Sequence, residues 1–332
     1  MPRAWRIHDY SGYQGLRLED EPLEEPGAGE IRLKVEAFAL NWGDQDLMKD
    51  NYSFSFRHFP ARVGIEAAGV IDAVGPGVEA FDVGERVSTL PYFYYDRGAS
   101  TESLVIDTRY VAKAPPNLSP VECASIWMQY LTAWFPLAEV TPVGPGSHVL
   151  VTAATGTAGA AALEIGRARG ATMIGTTRFE RNVDYLKRMG ADHVIVSGRD
   201  DVAGMIEDVT GGKGIDVAFD PVGAGLISRY SPALARNARI YFYGTLDKQW
   251  PALPFVDMFQ TNAVFQPYSV FNYVEDEAAC ARGREAVYGM LRDGVIRPQI
   301  DRVYPMEKYV EAFDYLSQPR STHGKVMIET GL

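Results

Sequence analysis

The chain has 332 residues, too many for one compact core of ordinary size and too few for three domains, so two domains are expected. Lys and Arg number 32 against 43 Asp and Glu, and the net charge of −11, with no basic cluster to offset it, argues against nucleic acid or an anionic membrane as the main partner. Residues 1–10 carry charges and no apolar run of signal-peptide length, and glycines and prolines interrupt the longest uncharged stretch, so no membrane span is expected and the expected location is the cytoplasm.

In chain order, the first elements are short strands at 31–37, 68–74, 86–90 and 102–106, separated by Gly and Pro turns. That is the pattern of an all-β, partly open barrel. Pro115, Pro116 and Pro120 mark the exit from this domain. Cys123 and Cys280 lie far apart, each in a helical context, and read as two reduced, packed thiols.

The stretch from Val149 to Gly159 carries the most information. An apolar β-branched run breaks into a Gly-rich turn and continues as an Ala-rich helix, with Ala154, Gly156 and Gly159 at the three small-residue positions of G-x-G-x-x-G. Such a turn lets backbone N–H groups and the positive end of a helix approach a pyrophosphate. Similar turns also form where a helix merely packs closely on a strand, so the motif alone leaves both readings open.

A strand and helix rhythm then continues, with strands at 171–176, 192–196, 215–220, 238–243 and 263–270 and a helix at 182–189 that stops at Gly190. Ligands of open parallel sheets sit at the carboxyl ends of the strands, where the turns are Gly156 to Gly159, Thr176 to Arg178, Asp220 to Gly223 and Gly244 to Thr245. After Glu275 come a long helix, a strand at 299–304, a short helix at 307–316 and a last strand at 325–329, a tail expected to pack back on the first domain. The expected division is 1–122 with 271–332, and 123–270.

Several segments resemble one known family. They are Pro60-Ala61-Arg62-Val63-Gly64-Ile65-Glu66-Ala67-Ala68-Gly69-Val70, Val74-Gly75, Phe81-Asp82-Val83-Gly84-Glu85-Arg86-Val87, Tyr130-Leu131-Thr132-Ala133-Trp134 and Gly324-Lys325-Val326. Together they resemble the medium-chain dehydrogenase/reductases. Asn41-Trp42-Gly43-Asp44 and Tyr52 resemble the zinc-independent quinone oxidoreductase branch. The resemblance implies an α/β fold in which a GroES-like, partly open β-barrel domain accompanies a Rossmann domain with a doubly wound parallel sheet. It also implies NADP(H) as cofactor. The implied cofactor residues are Thr132, Ala154, Thr155, Gly156, Thr157, Ala158, Gly159, Thr176, Thr177, Arg178, Arg181, Asp220, Val222, Gly223, Gly244 and Thr245. Thr157 and Ala158 stand where Gly and Val are common in the branch, a change expected to alter local packing more than cofactor binding.

NADPH is expected over NADH. NAD-specific sites carry an acidic residue at the end of the second strand, whereas residues 176–182 here read Thr-Thr-Arg-Phe-Glu-Arg-Asn, with two arginines that are unfavourable as idle cations at a helix start. By the resemblance, the branch's usual lysine and adenine-side tyrosine positions hold Asn182 and Ser197, which shifts the phosphate-binding task toward Arg178.

A catalytic zinc needs three Cys, His or carboxylate ligands. The resemblance puts the ligand positions at Asn41, Ile65 and Met128, and His8, His58, His148, His193 and His323 are scattered, so no metal is expected. Without a metal, hydrogen-bond donors must stabilise the developing negative charge, which suits quinones and α,β-unsaturated carbonyls. The resemblance places Asn41 and Tyr52 beside the nicotinamide. The oxyanion is expected on Asn41, the Tyr52 hydroxyl or cofactor ribose hydroxyls, with protonation by Tyr52 or water. Asp44 reads equally as catalyst or anchor, and Glu66 reads as a structural anchor.

Trp42, Phe93, Tyr94, Tyr95, Trp127 and Tyr130 are expected to line a pocket for a flat or bulky apolar substrate. Alternatives are a zinc-free alcohol or aldehyde oxidoreductase, an enoyl-thioester reductase using Lys49, Arg57, Arg62 or Arg97, and a non-catalytic NADPH-binding structural or sensor protein. The apolar edge strand in 263–271 predicts a homodimer, with Pro267 arguing against a long ladder.

Overall fold

The structure is a computed structural model that describes residues 1–92, 97–247, 249 and 252–332. It forms two compact units, Met1–Met128 with Pro298–Leu332, and Gln129–Arg297.

In the first unit, Glu30–Ala39 is the hub: Ala67–Val74, Ser103–Asp107 and Lys325–Glu329 all pair with it antiparallel. The sheet runs Ile300–Pro305, Lys325–Glu329, Glu30–Ala39, Ala67–Val74, Arg86–Thr89, Val111–Lys113, and a smaller sheet joins Arg17–Asp20, Arg3–Ile7 and Ala61–Arg62. Gly69 sits where the hub strand shifts register, and a Cβ there would come within 2.0 Å of the Lys34 carbonyl oxygen. Only glycine permits that approach. The hub strand delivers the chain directly into the short helix Trp42–Leu47.

The second unit holds a six-stranded, all-parallel sheet in the order His193–Val196, Thr172–Thr177, His148–Val151, Ile215–Asp220, Leu234–Phe242, Val264–Pro267. Numbered along the unit this is 3-2-1-4-5-6, the doubly wound order of dinucleotide-binding sheets. Leu150, Ile174, Ile195, Ala218 and Ile240 from the strands pack with Val202 and Ile206 of the helix Val202–Thr210 and with Ile227 and Tyr230. Both faces of the strands are covered, so the runs read as continuously apolar. Gly190, at φ 111°, ends the helix Val183–Met189.

Three expectations are corrected here. The fifth strand begins at Leu234 because Asn237, at φ 62°, lets the chain kink without leaving the sheet. The sixth ends at Pro267, with Tyr268 N–H making a last bond to the Phe242 carbonyl at 2.8 Å, and a helical turn, Phe271–Val274, follows. The helix Glu277–Arg292 belongs to the second unit, not the first. Gly283 leaves room for the Phe135 ring, 2.8 Å from where its Cβ would lie, Phe135 stacks on Tyr273 at 4.8 Å, and Arg282 pairs with Glu139 at 2.9 Å.

Cys123 and Cys280 are free and buried. Among the described residues no helix is long and apolar enough to cross a membrane. Val264 on the edge strand is exposed, as are Phe255, Val256 and Phe259 on the helix Phe255–Thr261 before it. Pairing with a second copy along this edge would cover both an open ladder and these rings. Light scattering at micromolar concentration is therefore expected to give twice the chain mass, and a monomer would contradict the pairing.

Candidate functional site

In the second unit, Ala153 turns the chain at φ 45° after the first strand, and Ala154 donates its N–H to the Thr176 carbonyl at 3.0 Å. The helix Thr157–Ala168 follows, with Gly156 as a cap that offers no side-chain acceptor. The first backbone bond of this helix runs from Ala160 N–H to the Gly156 carbonyl at 2.8 Å, and Gly156 N–H donates to the Ala153 carbonyl at 2.9 Å, so the amides of Thr157, Ala158 and Gly159 are the ones without an intrahelical acceptor. At Gly159 a Cβ would come within 2.8 Å of Ala154 Cα and 3.0 Å of its carbonyl oxygen. Helix and strand can touch there only because the side chain is missing. Thr155, Thr157 and Ala158 remain partly accessible around the turn. This geometry fits a pyrophosphate against a helix N-terminus.

Other expected cofactor residues hold the turn in shape. Asp220 is fully buried, and its Oδ1 accepts from the Thr152 hydroxyl at 2.5 Å, Val222 N–H at 2.8 Å and Gly223 N–H at 3.1 Å. Its Oδ2 accepts from the Tyr230 hydroxyl at 2.8 Å. Asp220 is thus an organiser of the fourth strand's turn, fully buried and bonded at both of its side-chain oxygens. Thr176 is buried, and Thr177 Oγ1 accepts from Asn182 Nδ2 at 2.8 Å. Thr132 is buried on the helix Trp127–Trp134, while Gly244 is half-buried and Thr245 exposed beyond the fifth strand.

Arg178 and Arg181 are exposed, with guanidinium carbons 5.6 and 4.2 Å from the ring centre of the exposed Phe179 between them. Neither pairs with a carboxylate among the described residues. Ser197 Oγ donates to the Thr177 carbonyl at 3.3 Å.

The first unit gathers a second cluster. Asn41 caps the helix Trp42–Leu47, and its N–H donates to Asp44 Oδ2 at 2.8 Å. Its Oδ1 accepts from Lys325 Nζ at 2.6 Å, and its Nδ2 donates to Glu66 Oε2 at 3.2 Å. Lys325 also bonds Glu66 Oε2 at 2.8 Å, with side-chain exposures of 3% and 1%. Glu66 Oε1 accepts from Met128 N–H at 2.7 Å. Burial pushes the Asp44 carboxyl up to about 7, against the pull of the Asn41 N–H and the Lys325 ammonium. Tyr52 lies on Gly43, whose absent Cβ would be 3.1 Å from the ring. Burial, then the nearby Asp44 and Asp46, keep its phenol protonated well beyond the usual range.

The expected substrate wall is partly overturned. Trp42 is exposed beside Asn41, but Trp127 is 1% exposed and donates Nε1–H to Ser88 Oγ at 2.8 Å. Tyr130 is equally buried and donates to Glu164 Oε2 at 2.8 Å. Both are core residues whose polar ends are satisfied internally. Phe93, Tyr94 and Tyr95 lie outside the described residues. At the positions where zinc relatives have ligands, Asn41 binds Lys325, Met128 offers a backbone amide, and Ile65 has no donor atom in its side chain. Among the described residues no group of three or more His, Cys, Asp or Glu could hold a metal ion.

Lys325 was missed from sequence, because a lone lysine at the start of a strand ordinarily faces water. The register places it: Met327 pairs with Ala39, so Lys325 falls opposite Asn41.

Residues 158–282 match the family described as zinc-binding dehydrogenase, and residues 27–116 match the alcohol dehydrogenase GroES-like domain. A 2-haloacrylate reductase of Burkholderia sp is 28% identical over 335 residues, covering 99% of this chain and 99% of that protein. A mycobacterial quinone oxidoreductase structure is similar with a TM-score of 0.87 at 26% identity, covering 99% of this chain and 100% of that one. A mycobacterial protein solved in complex with NADPH has a TM-score of 0.88 at 25% identity, with the same coverage of 99% and 100%. With both domain families matched in order and the doubly wound sheet in place, the chain belongs to the medium-chain dehydrogenase/reductase superfamily of oxidoreductases, in its quinone oxidoreductase-like branch.

Proposed function

We propose that the protein is an NADPH-dependent reductase of quinones or α,β-unsaturated carbonyl compounds that works without zinc. The observation that carries this reading is the Asn41 amide, gripped by a buried ammonium and a buried carboxylate at a position where zinc relatives have a metal ligand. Such a site offers a hydrogen-bond donor to a developing oxyanion, which suffices where the charge is delocalised. Relatives support it: one is named as a reductase of 2-haloacrylate, a conjugated acid, one as a quinone oxidoreductase, and one was solved with NADPH. NADPH, when bound, supplies the hydride.

The residues divide the remaining work. The open amides of Thr157 to Gly159 hold the pyrophosphate, and Arg178 with Arg181 holds the 2′-phosphate. Asn41 Nδ2 donates to the substrate oxygen. Asp44, rather than Tyr52, is the proton source, because a carboxyl held near neutral pH is matched to proton transfer and a phenol pushed upward is not. Of the four cations named for the thioester alternative, two are engaged within the protein, Arg62 buried on Glu21 at 2.7 Å and Arg97 paired with Glu30 at 3.1 Å.

Three experiments test this. A screen of NADPH oxidation against quinones, enones, enoyl thioesters, aldehydes and alcohols should find turnover concentrated in the first two, and activity confined to simple aldehydes or alcohols would overturn the substrate class. Arg178→Ala should raise KM for NADPH about tenfold or more and leave that for NADH nearly unchanged, since only a charge-assisted contact is lost. Equal effects on both cofactors would assign the arginine elsewhere.

The third concerns pH. The fold holds a proton on Asp44 that the unfolded chain releases between about 4 and 7, so this group's contribution to stability is full below the ordinary carboxylate range and is lost as pH rises through about 7. Turnover should fall over the same limb. Asp44→Asn is expected to flatten the stability profile and lower kcat, and an unchanged pH profile would remove Asp44 from the proton step.

A further inference from the structure

The Asn41 side chain could present either end of its amide to a substrate, and only one end is useful to an oxyanion. The hydrogen bonds decide which. Lys325 Nζ is 2.6 Å from Oδ1 and Glu66 Oε2 is 3.2 Å from Nδ2. Turning the amide over would set an NH2 group against an ammonium and a carbonyl oxygen against a carboxylate, two repulsive contacts in a buried setting. Nδ2 carries two protons, and only the Glu66 contact engages one of them among the described residues. We propose that Lys325 is a positioning residue: together with Glu66 it locks the Asn41 amide so that the second N–H faces the substrate oxygen, and it polarises that N–H through Oδ1.

Three features make this more than a structural ion pair. Lys325 and Glu66 are already joined at 2.8 Å, so the 2.6 Å contact to Asn41 adds a partner that the pair does not need for neutrality. Glu66 is held from its other oxygen by Met128 N–H at 2.7 Å, which fixes the carboxylate and hence the triangle. Asn41 is itself only half-buried, at the cap of its helix, so its free N–H is the part of the cluster that reaches outward.

The proposal rests on the reading of Asn41 as the oxyanion donor, and the test separates the two. Lys325→Met alone strands a buried carboxylate and destabilises the fold, so Lys325→Met is paired with Glu66→Gln, which removes both charges at similar volume. The folded double variant is expected to lose about tenfold or more in kcat with KM for NADPH unchanged. Adding Asn41→Ala to it should lower kcat by less than about twofold further, because the amide is no longer presented. Independently of turnover, the Asn41 side-chain NH2 protons should exchange slowly with solvent in the ¹H–¹⁵N spectrum of the wild type, and in the double variant they should shift and exchange faster. A wild-type kcat in the double variant, a full multiplicative loss on adding Asn41→Ala, or an unchanged amide spectrum would each overturn the positioning role. Should the wild type reduce no conjugated carbonyl, the functional reading fails while the amide spectrum still decides the role of Lys325.

Discussion

Asn41→Ala is expected to lower kcat by about 100- to 1,000-fold, the loss of about 2.7–4 kcal/mol seen when one donor is removed from an oxyanion site. The fold should survive. Lys325 and Glu66 keep each other at 2.8 Å, and the Asn41 N–H that binds Asp44 belongs to the backbone and persists in alanine. KM for NADPH should change little, since none of the cofactor groups named above is touched. Tyr52→Phe should reduce kcat more weakly, because its hydroxyl is a secondary donor and its ring still packs on Gly43. Steady-state kinetics on the best quinone or enone checks both variants, and wild-type rates in both would remove these residues from the chemistry.

Asp220→Ala should be the most damaging change outside that cluster, costing about 3 kcal/mol or more in stability. It strands the Tyr230 hydroxyl, the Thr152 hydroxyl and two backbone N–H groups, all now satisfied by one buried carboxylate. Asp220→Asn should cost less, since one carbonyl oxygen can still accept from the turn. Denaturant titration reads the difference, and an alanine variant as stable as the wild type would show that the turn organises itself without this residue. NADPH affinity should fall alongside stability, as the turn it shapes borders the expected cofactor site.

The second unit was largely legible because each strand is an apolar, β-branched run that stops at Gly, Pro or a polar residue. Ile215–Asp220 was read with its observed bounds, and Thr172–Thr177 and His193–Val196 to within a residue. Reading failed where tertiary pairing overrode local pattern. Arg236 and Asn237 look like a loop, yet the sheet carries them through as part of Leu234–Phe242. Val264–Pro267 stops early because the chain turns into the helical turn Phe271–Val274 although the apolar run continues.

The candidate site was legible only in pieces. Asn41, Asp44 and Tyr52 were found through their resemblance to a family, and the glycine turn through its spacing. Lys325 could not be found that way, because its role depends on an antiparallel register joining residues 284 positions apart. Glu66 was rightly read as an anchor, but what it anchors is the Asn41 amide. Trp127 and Tyr130 misled for the opposite reason: aromatic residues near a functional segment look like a pocket until their hydroxyl or indole N–H is seen to be satisfied in the core.

The most direct test of the central claim is the fate of the hydride. Chelator-treated protein is incubated with an enone and NADPH carrying deuterium at nicotinamide C4, and the product is examined by mass spectrometry and proton NMR. One deuterium at the carbon β to the carbonyl, with turnover undiminished by the chelator, is the predicted result. Deuterium at the carbonyl carbon, or activity that vanishes with the metal and returns with zinc, would contradict the account.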